Sequence, residues 1–325
     1  MARDVWGKDE EGGRSMEAQL LEKILMAGLT EQRRARRWKI FFRMVYILLF
    51  LSFLVTMNRE SVDLPGSTRD HTGVVDVQGE IGAQKEASAE NIIKGLDDAF
   101  ANEHCKAVVL RINSPGGSPV QADRVYREIM RLRHLHPKRP IYAVIGDIGA
   151  SGAYYMASAA NDIYVNPASI VGSIGVIMEG FGFPDVLRKL GIDRRLETAG
   201  AHKAIGDPFS PVSAFDQNYV QNLLNEVHQQ FIDAVVQGRG NRLHPTNDMF
   251  SGLFWTGTDA IRLGLADGLG SPEDVAREKV HAPTLINYTH SNNPWDAAAH
   301  KIGLSAADSL VTALRTSLGS APDLR

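Results

Sequence analysis

An α/β fold preceded by one N-terminal membrane-spanning helix is what the sequence predicts, on three observations. Between residues 74 and 160, short apolar runs alternate with segments of helical spacing, the pattern of a parallel sheet with crossover helices. Two of those runs, AVVLRI (107–112) and IYAVI (141–145), are almost wholly apolar rather than alternating, which suits strands buried on both faces. Finally, IFFRMVYILLFLSFLVTM (40–57) is a largely apolar stretch of 18 residues, close to the roughly 20 that cross a bilayer core.

The chain has 325 residues, 44% hydrophobic and 22% charged, with a net charge of −3. That is room for a large α/β domain with appendages, and there is no global basic field to hold nucleic acid. The single cysteine, Cys105, excludes an intrachain disulfide and a cysteine-based zinc site; it reads as a half-buried thiol just before a strand. The ten histidines show no His-Glu-x-x-His spacing, and His134-Leu-His136 is a weak metal signal. No cofactor is expected.

Residues 1–39 read as a polar cytoplasmic tail with an amphipathic patch around Leu20, Leu21, Ile24 and Leu25. RRARRWK (33–39) places five basic residues directly before the span, whereas only Arg59 lies close behind it. The positive-inside bias therefore puts the N-terminus in the cytoplasm and everything after residue 58 on the outer side. Arg43 lies near the basic end, where it can snorkel to the headgroups. The run is longer than a signal-peptide core and no Ala-x-Ala-like site follows it, so it reads as an uncleaved anchor over 40–57. Residues 58–70 (NRESVDLPGSTRD) form a polar tether.

The folded domain is expected over 71–285, with a C-terminal tail over 286–325. Val74–Val77 is a strand and Gly79–Gly82 its turn. Ile92, Ile93, Leu96 and Phe100 recur at helical spacing over 88–101, with Ser88 as N-cap. The strand 107–112 ends in Asn113-Ser114-Pro115-Gly116-Gly117-Ser118, and the following helix carries Val125, Ile129 and Leu132 on one face. This glycine loop lacks the Gly-x-Gly-x-x-Gly order and is followed by no Walker lysine, so it is not a nucleotide site. Gly146, Asp147 and Gly149 break the strand 141–145, and Ser151 opens a helix over small residues. Next come a short helix (183–190), a strand (192–198) and a loop punctuated by glycine and proline (199–211). A long helix follows over 214–237, with Phe215, Tyr219, Leu223, Val227, Phe231 and Val235 on i+4 steps. Two shorter helices lie within 257–280. No internal repeat is found.

A strand, a tight glycine turn and a serine at the first residues of a helix can present a nucleophile. The helix N-terminus offers free N–H groups and partial positive charge where an oxyanion forms. On this stretch alone, the commoner meaning of Ser151 is a helix N-cap, and Ala153 stands where Gly-x-Ser-x-Gly needs its second glycine. The catalytic meaning depends on partners. Gly116-Gly117, at an earlier strand–helix junction, can aim bare backbone N–H groups at the same point, and Lys203 lies in a loop beyond a third strand. A serine hydroxyl needs a base, and a lysine serves as one where burial lowers its pKa toward neutrality. Ser-Lys pairs are an attested variant of the catalytic triad.

Four blocks carry a family resemblance: INSPGGS (112–118), GASGAYYMASAANDIYVNPASIVGSIGV (149–176), TAGAHKAIGDPFSP (198–211) and GLADGLG (264–270). In order and spacing they resemble the signal peptide peptidase A family, in its short, single-module form with one N-terminal span. The resemblance covers roughly residues 70–280. It implies the Clp-protease/crotonase-like spiral of ββα units and serine-peptidase activity from a Ser-Lys dyad. Carried onto this chain, it implies Ser151 as nucleophile and Lys203 as general base. It further implies the backbone N–H groups of Gly117 and Gly152 as oxyanion donors, and Ser173 beside the lysine amine. The sequence departs from the family where Ala153 replaces a usual glycine and His202 a common tyrosine, which bears on pocket shape and the lysine's surroundings.

The resemblance also implies peptide substrates, namely remnant signal peptides, at the inner membrane, and a homo-oligomer, with Ser151 and Lys203 of one site drawn from one chain or from two. Ile174, Val176 and Met178 are candidates for an apolar substrate pocket, or equally for plain core. Three other readings remain at this point. One is a related anchored protease acting on membrane-protein fragments, and another is a non-catalytic membrane scaffold. The third, a crotonase-like acyl-CoA enzyme, leaves Lys203 idle.

Overall fold

A computed structural model describes residues 36–51 and 69–291. The amphipathic patch near Leu20, the end of the expected span (52–57), most of the tether and the tail beyond 291 lie outside the described residues. Residues 36–51 are helical (α1), with apolar side chains such as Phe41, Leu48 and Leu51 exposed. Among the described residues, no helix is long and apolar enough to cross a membrane.

The domain from residue 69 onward is a mixed α/β unit around a mostly parallel sheet. Strands β1 (His71–Gln78), β2 (Cys105–Ser114) and β3 (Ile141–Ala150) lie side by side and parallel. Helices α2 (Ala89–Ala101) and α3 (Pro119–Leu135) connect them. Both faces of the central strands are buried, as the apolar runs require. Val75, Val77, Val108, Leu110, Ile112 and Ile145 pack into the main core with the helices, whereas Val109, Tyr142 and Val144 face a smaller cluster with Tyr164 and Val275. Each fully buried Val, Leu or Ile contributes about 1.5–3 kcal/mol. Cys105, expected half-buried ahead of β2, is instead its fully buried first residue, and burial pushes its thiol up to about 11.

The helix starts follow local chemistry. Ser88 and Ser118 accept hydrogen bonds from the Asn91 and Gln121 backbone N–H groups, and Pro119 opens α3, where its missing N–H costs nothing. The long helix α6 (Ala214–Arg239) begins in a reciprocal capping box between Ser213 and Asp216. Near its other end, a Cβ on Gly238 would overlap the Ser158 carbonyl oxygen, so only glycine lets α6 pass this close to α4 (Gly152–Ser158).

Strand β3 corrects the expectation that Gly146, Asp147 and Gly149 end it. It runs on to Ala150 by changing partners: residues 142–145 pair with β4 (Asp162–Val165), and residues 148–150 with β5 (Ile170–Gly172). The glycines mark that handover, and Asn113 bridges it, accepting from the Ile148 N–H and donating to Asp147. Beyond β5 the sheet ends in an antiparallel pairing with β6 (Phe254–Thr256), while β4 continues to β7 (Gly268–Leu269).

The short helix α5 (Pro184–Lys189) is present, but no strand forms over 192–198. Those residues are exposed and have no neighbouring strand to satisfy their backbone, so alternation alone does not make a ladder. The loop 199–211 is a series of turns. The two late helices are α7 (Gly257–Arg262) and α8 (Pro272–Asp274), the latter continuing into a π-helical turn, Val275–Val280. Strand β8 (Leu285–Asn287), straddling the expected boundary at 285, pairs with β1, and the Tyr288 N–H donates to the Val74 carbonyl.

Candidate active site

The upper end of β3 delivers Ser151 to the first turn of α4. Ser151 takes φ +53° and ψ −127°, a conformation that L residues rarely adopt. Its backbone N–H donates to the Gly172 carbonyl (2.8 Å), and its own carbonyl accepts from Tyr155 (2.9 Å), so sheet and helix fix it from both sides. Although Ser151 holds the N-cap position, its side chain makes no capping bond. The capping role that the local pattern first suggests is therefore not used.

The glycine loop after β2 lies against this turn. A Cβ on Gly116 would stand 2.7 Å from the Ser151 Cβ and 2.8 Å from the Gly152 nitrogen, and Gly116 has φ +101°. At Gly117 (φ +146°) a Cβ would overlap the Ile81 carbonyl oxygen. Bonds from the Ile81 N–H to Gly116 (2.8 Å) and from the Ser118 N–H to Ile81 (2.9 Å) pin the loop and leave the Gly117 N–H out of them. Gly152 is the first residue of α4, so its N–H belongs to the helix's orphan donors. One backbone donor from the glycine loop and one from the first turn of α4 thus lie together beside one serine.

Ser151, Gly117, Gly152 and Ser173 all line one cavity of about 770 Å³. Ser173 is also at positive φ (+51°), and its N–H donates to the Leu253 carbonyl (2.8 Å). Lys203 is not among the lining residues; it is exposed, on the series of turns at 200–206. Its neighbour His202 stacks on Phe215, ring centroids 4.1 Å apart. Of the apolar candidates, Val176 lines the cavity, Ile174 is core, and Met178 is exposed.

The cavity wall also includes residues that are not among the site candidates. Asp123 comes from α3, Tyr155 from α4, and His228 and Phe231 from α6. The His228 Nε2 lies 2.9 Å from the Ile174 carbonyl, tying α6 to the chain just past Ser173. Tyr155 stacks on Phe231 and donates its hydroxyl to Asp123 (3.3 Å); burial, with the Asp123 carboxylate beside it, pushes that hydroxyl up to about 12. The helical register offered a partial signal, since Tyr155 is one turn after Ser151 and Phe231 was already on the apolar stripe.

Known proteins match this region. The model of peptidase family S49 covers residues 133–283. A "putative protease" of Methanocaldococcus jannaschii is 32% identical over 215 residues, which span 65% of this chain and 68% of that one. A "putative signal peptide peptidase SppA" of Enterococcus faecium is 26% identical over 223 residues, 66% of this chain and 64% of that one. A Brucella abortus protein named Na(+)/H(+) antiporter NhaA is 47% identical over 183 residues, 56% of this chain. The match spans only a quarter (25%) of that protein, most of which therefore lies outside the shared region. With a protease-named relative aligned over two thirds of its length and the family model spanning the turn that bears Ser151, the chain belongs to peptidase family S49.

Proposed function

We propose that this protein is a membrane-anchored endopeptidase that degrades cleaved signal peptides with a Ser151–Lys203 dyad. The observation that carries the assignment is the packing of Gly116-Gly117 backbone against Ser151-Gly152. On this reading, neutral Lys203 takes the Ser151 hydroxyl proton as Oγ attacks the scissile carbonyl. The Gly117 and Gly152 N–H groups stabilise the oxyanion. The lysine ammonium returns the proton to the leaving amine, leaving an acyl-serine. Water, deprotonated by the same lysine, then releases the new carboxyl end and restores Ser151. Ser173 orients the lysine amine.

The exposure of Lys203 away from the cavity favours a lysine delivered by a second copy of the chain. The segment that carries it is held together locally, by Arg194 pairing with Asp207 and by the Phe183–Phe209 ring contact, and presents Ile177, Phe181 and Leu190 exposed. We therefore propose a homo-oligomer, and with it the Clp/crotonase-like spiral, which the division of β3 between β4 and β5 supports. The basic flank and apolar stretch at 40–57 support a single-pass inner-membrane anchor, with the catalytic domain on the outer (periplasmic or extracellular) side. Incubating the protein with a synthetic signal peptide, beside Ser151→Ala, and mapping the fragments by mass spectrometry tests the assignment. Cuts that vanish in the variant are expected; equal cutting by both proteins overturns it.

A further inference from the structure

The wall of the cavity is not uniformly apolar. Val120, Tyr155, Val227 and Phe231 give it an apolar body, and Asp123 is the one acid among its lining residues, which include neither lysine nor arginine. Asp123 is only partly exposed, its side chain 30% accessible, and the Tyr155 hydroxyl orients the carboxylate from the buried side. Its counter-ion is Arg127, one turn along α3 at 2.8 Å, but the Arg127 side chain is 77% accessible and does not line the cavity. An i,i+4 pair of that exposure is held weakly and is readily displaced. A cavity with apolar walls and a single negative charge among its lining residues fits one class of side chain, an aliphatic stem with a cationic head.

We propose that this cavity receives a lysine or arginine side chain of the peptide substrate, at the residue on the acyl side of the cut bond, and that Asp123 is the specificity-determining residue. The incoming cation displaces Arg127 from the carboxylate, while the stem packs on Val120, Val227 and Phe231. A glutamate at the same position meets an uncompensated like charge and is rejected. The proposal rests on the peptidase reading above and adds which bonds are cut.

The test uses full-length protein in detergent and three peptides differing at that one residue: lysine, norleucine (the uncharged stem) and glutamate. Wild type is expected to cleave the lysine peptide with at least tenfold higher kcat/KM than norleucine, and the glutamate peptide least. Asp123→Asn should lower the lysine value at least tenfold while leaving norleucine within threefold. Arg127→Ala, remote from the fold's core, should raise the lysine value and leave norleucine unchanged. Equal cutting of lysine and norleucine peptides by wild type, or a parallel loss on both in Asp123→Asn, overturns the proposal. Failure of wild type to exceed Ser151→Ala on any peptide instead overturns the peptidase reading itself.

Discussion

Ser151 sits in a conformation that costs on the order of 1–3 kcal/mol, and the Gly172 and Tyr155 bonds hold it there. The neighbouring glycine loop tolerates no side chain. Gly116→Ala would push a methyl group into Ser151 and the Gly152 nitrogen at a positive φ, so it is expected to cut kcat/KM by about 100-fold or more and destabilise by about 1–3 kcal/mol. Peptide kinetics and a thermal melt check the two effects separately. On the proposed mechanism Lys203→Arg is as inactive as Lys203→Ala, because a guanidinium does not give up its proton. His202→Ala should keep most activity, its ring being engaged with Phe215; near-wild-type turnover by Lys203→Arg would sink the dyad. Ser151 and the Gly116-Gly117 loop could be picked out from local chemistry, whereas Gly152 and Ser173 entered only through the family resemblance. Asp123, Tyr155 and His228 could be picked out in neither way, because they meet at the cavity only through the packing of α3, α4 and α6.

At the level of elements, α6 is locked to the loop ahead of β7 by a buried ion pair. Arg239, with a fully buried side chain, bonds both Asp267 oxygens at 2.8 Å and the Gly264 carbonyl at 3.0 Å. Nearby, the Tyr154 hydroxyl of α4 donates to Leu265 (2.8 Å), so the same loop steadies the helix behind Ser151. Asp267→Asn leaves the guanidinium short of a counter-charge and is expected to cost about 3–5 kcal/mol at neutral pH. Burial pushes the Asp267 carboxyl up, but Arg239 bonding and charge, the Ile163 N–H and Arg242 outweigh it and hold it below the ordinary carboxylate value. The unfolded chain therefore takes up this proton more readily. Its stabilisation is full above an unfolded value of about 3.9 and is lost as pH falls through the lower folded value. Urea midpoints from pH 6 to 3 should fall more steeply for wild type than for Asp267→Asn. The strands and helices up to α4 were legible because their apolar faces are satisfied within the chain. Segment 192–198 misled because alternation promises a strand only where another strand is available to pair with it. The extension of β3 was hidden because glycines that read as a break also serve a change of partner.

For the whole molecule, the anchor and the assembly carry the remaining expectations. Full-length protein is expected to stay with membranes after a carbonate wash; release into the supernatant would remove the anchor from the reading. Ser151→Ala and Lys203→Ala, each inactive alone, are expected to regain activity when co-assembled, since mixed oligomers then contain intact pairs. Verified mixed oligomers without activity would confine the dyad to one chain. The exposed position of Lys203, outside the cavity that holds Ser151, then has a kinetic consequence. A chain that borrows its base from a neighbour has no fixed specific activity. Turnover per molecule would rise with the surface density of the protein in the membrane and vanish on dilution. A newly inserted, solitary copy would be harmless to the proteins around it until enough others had arrived.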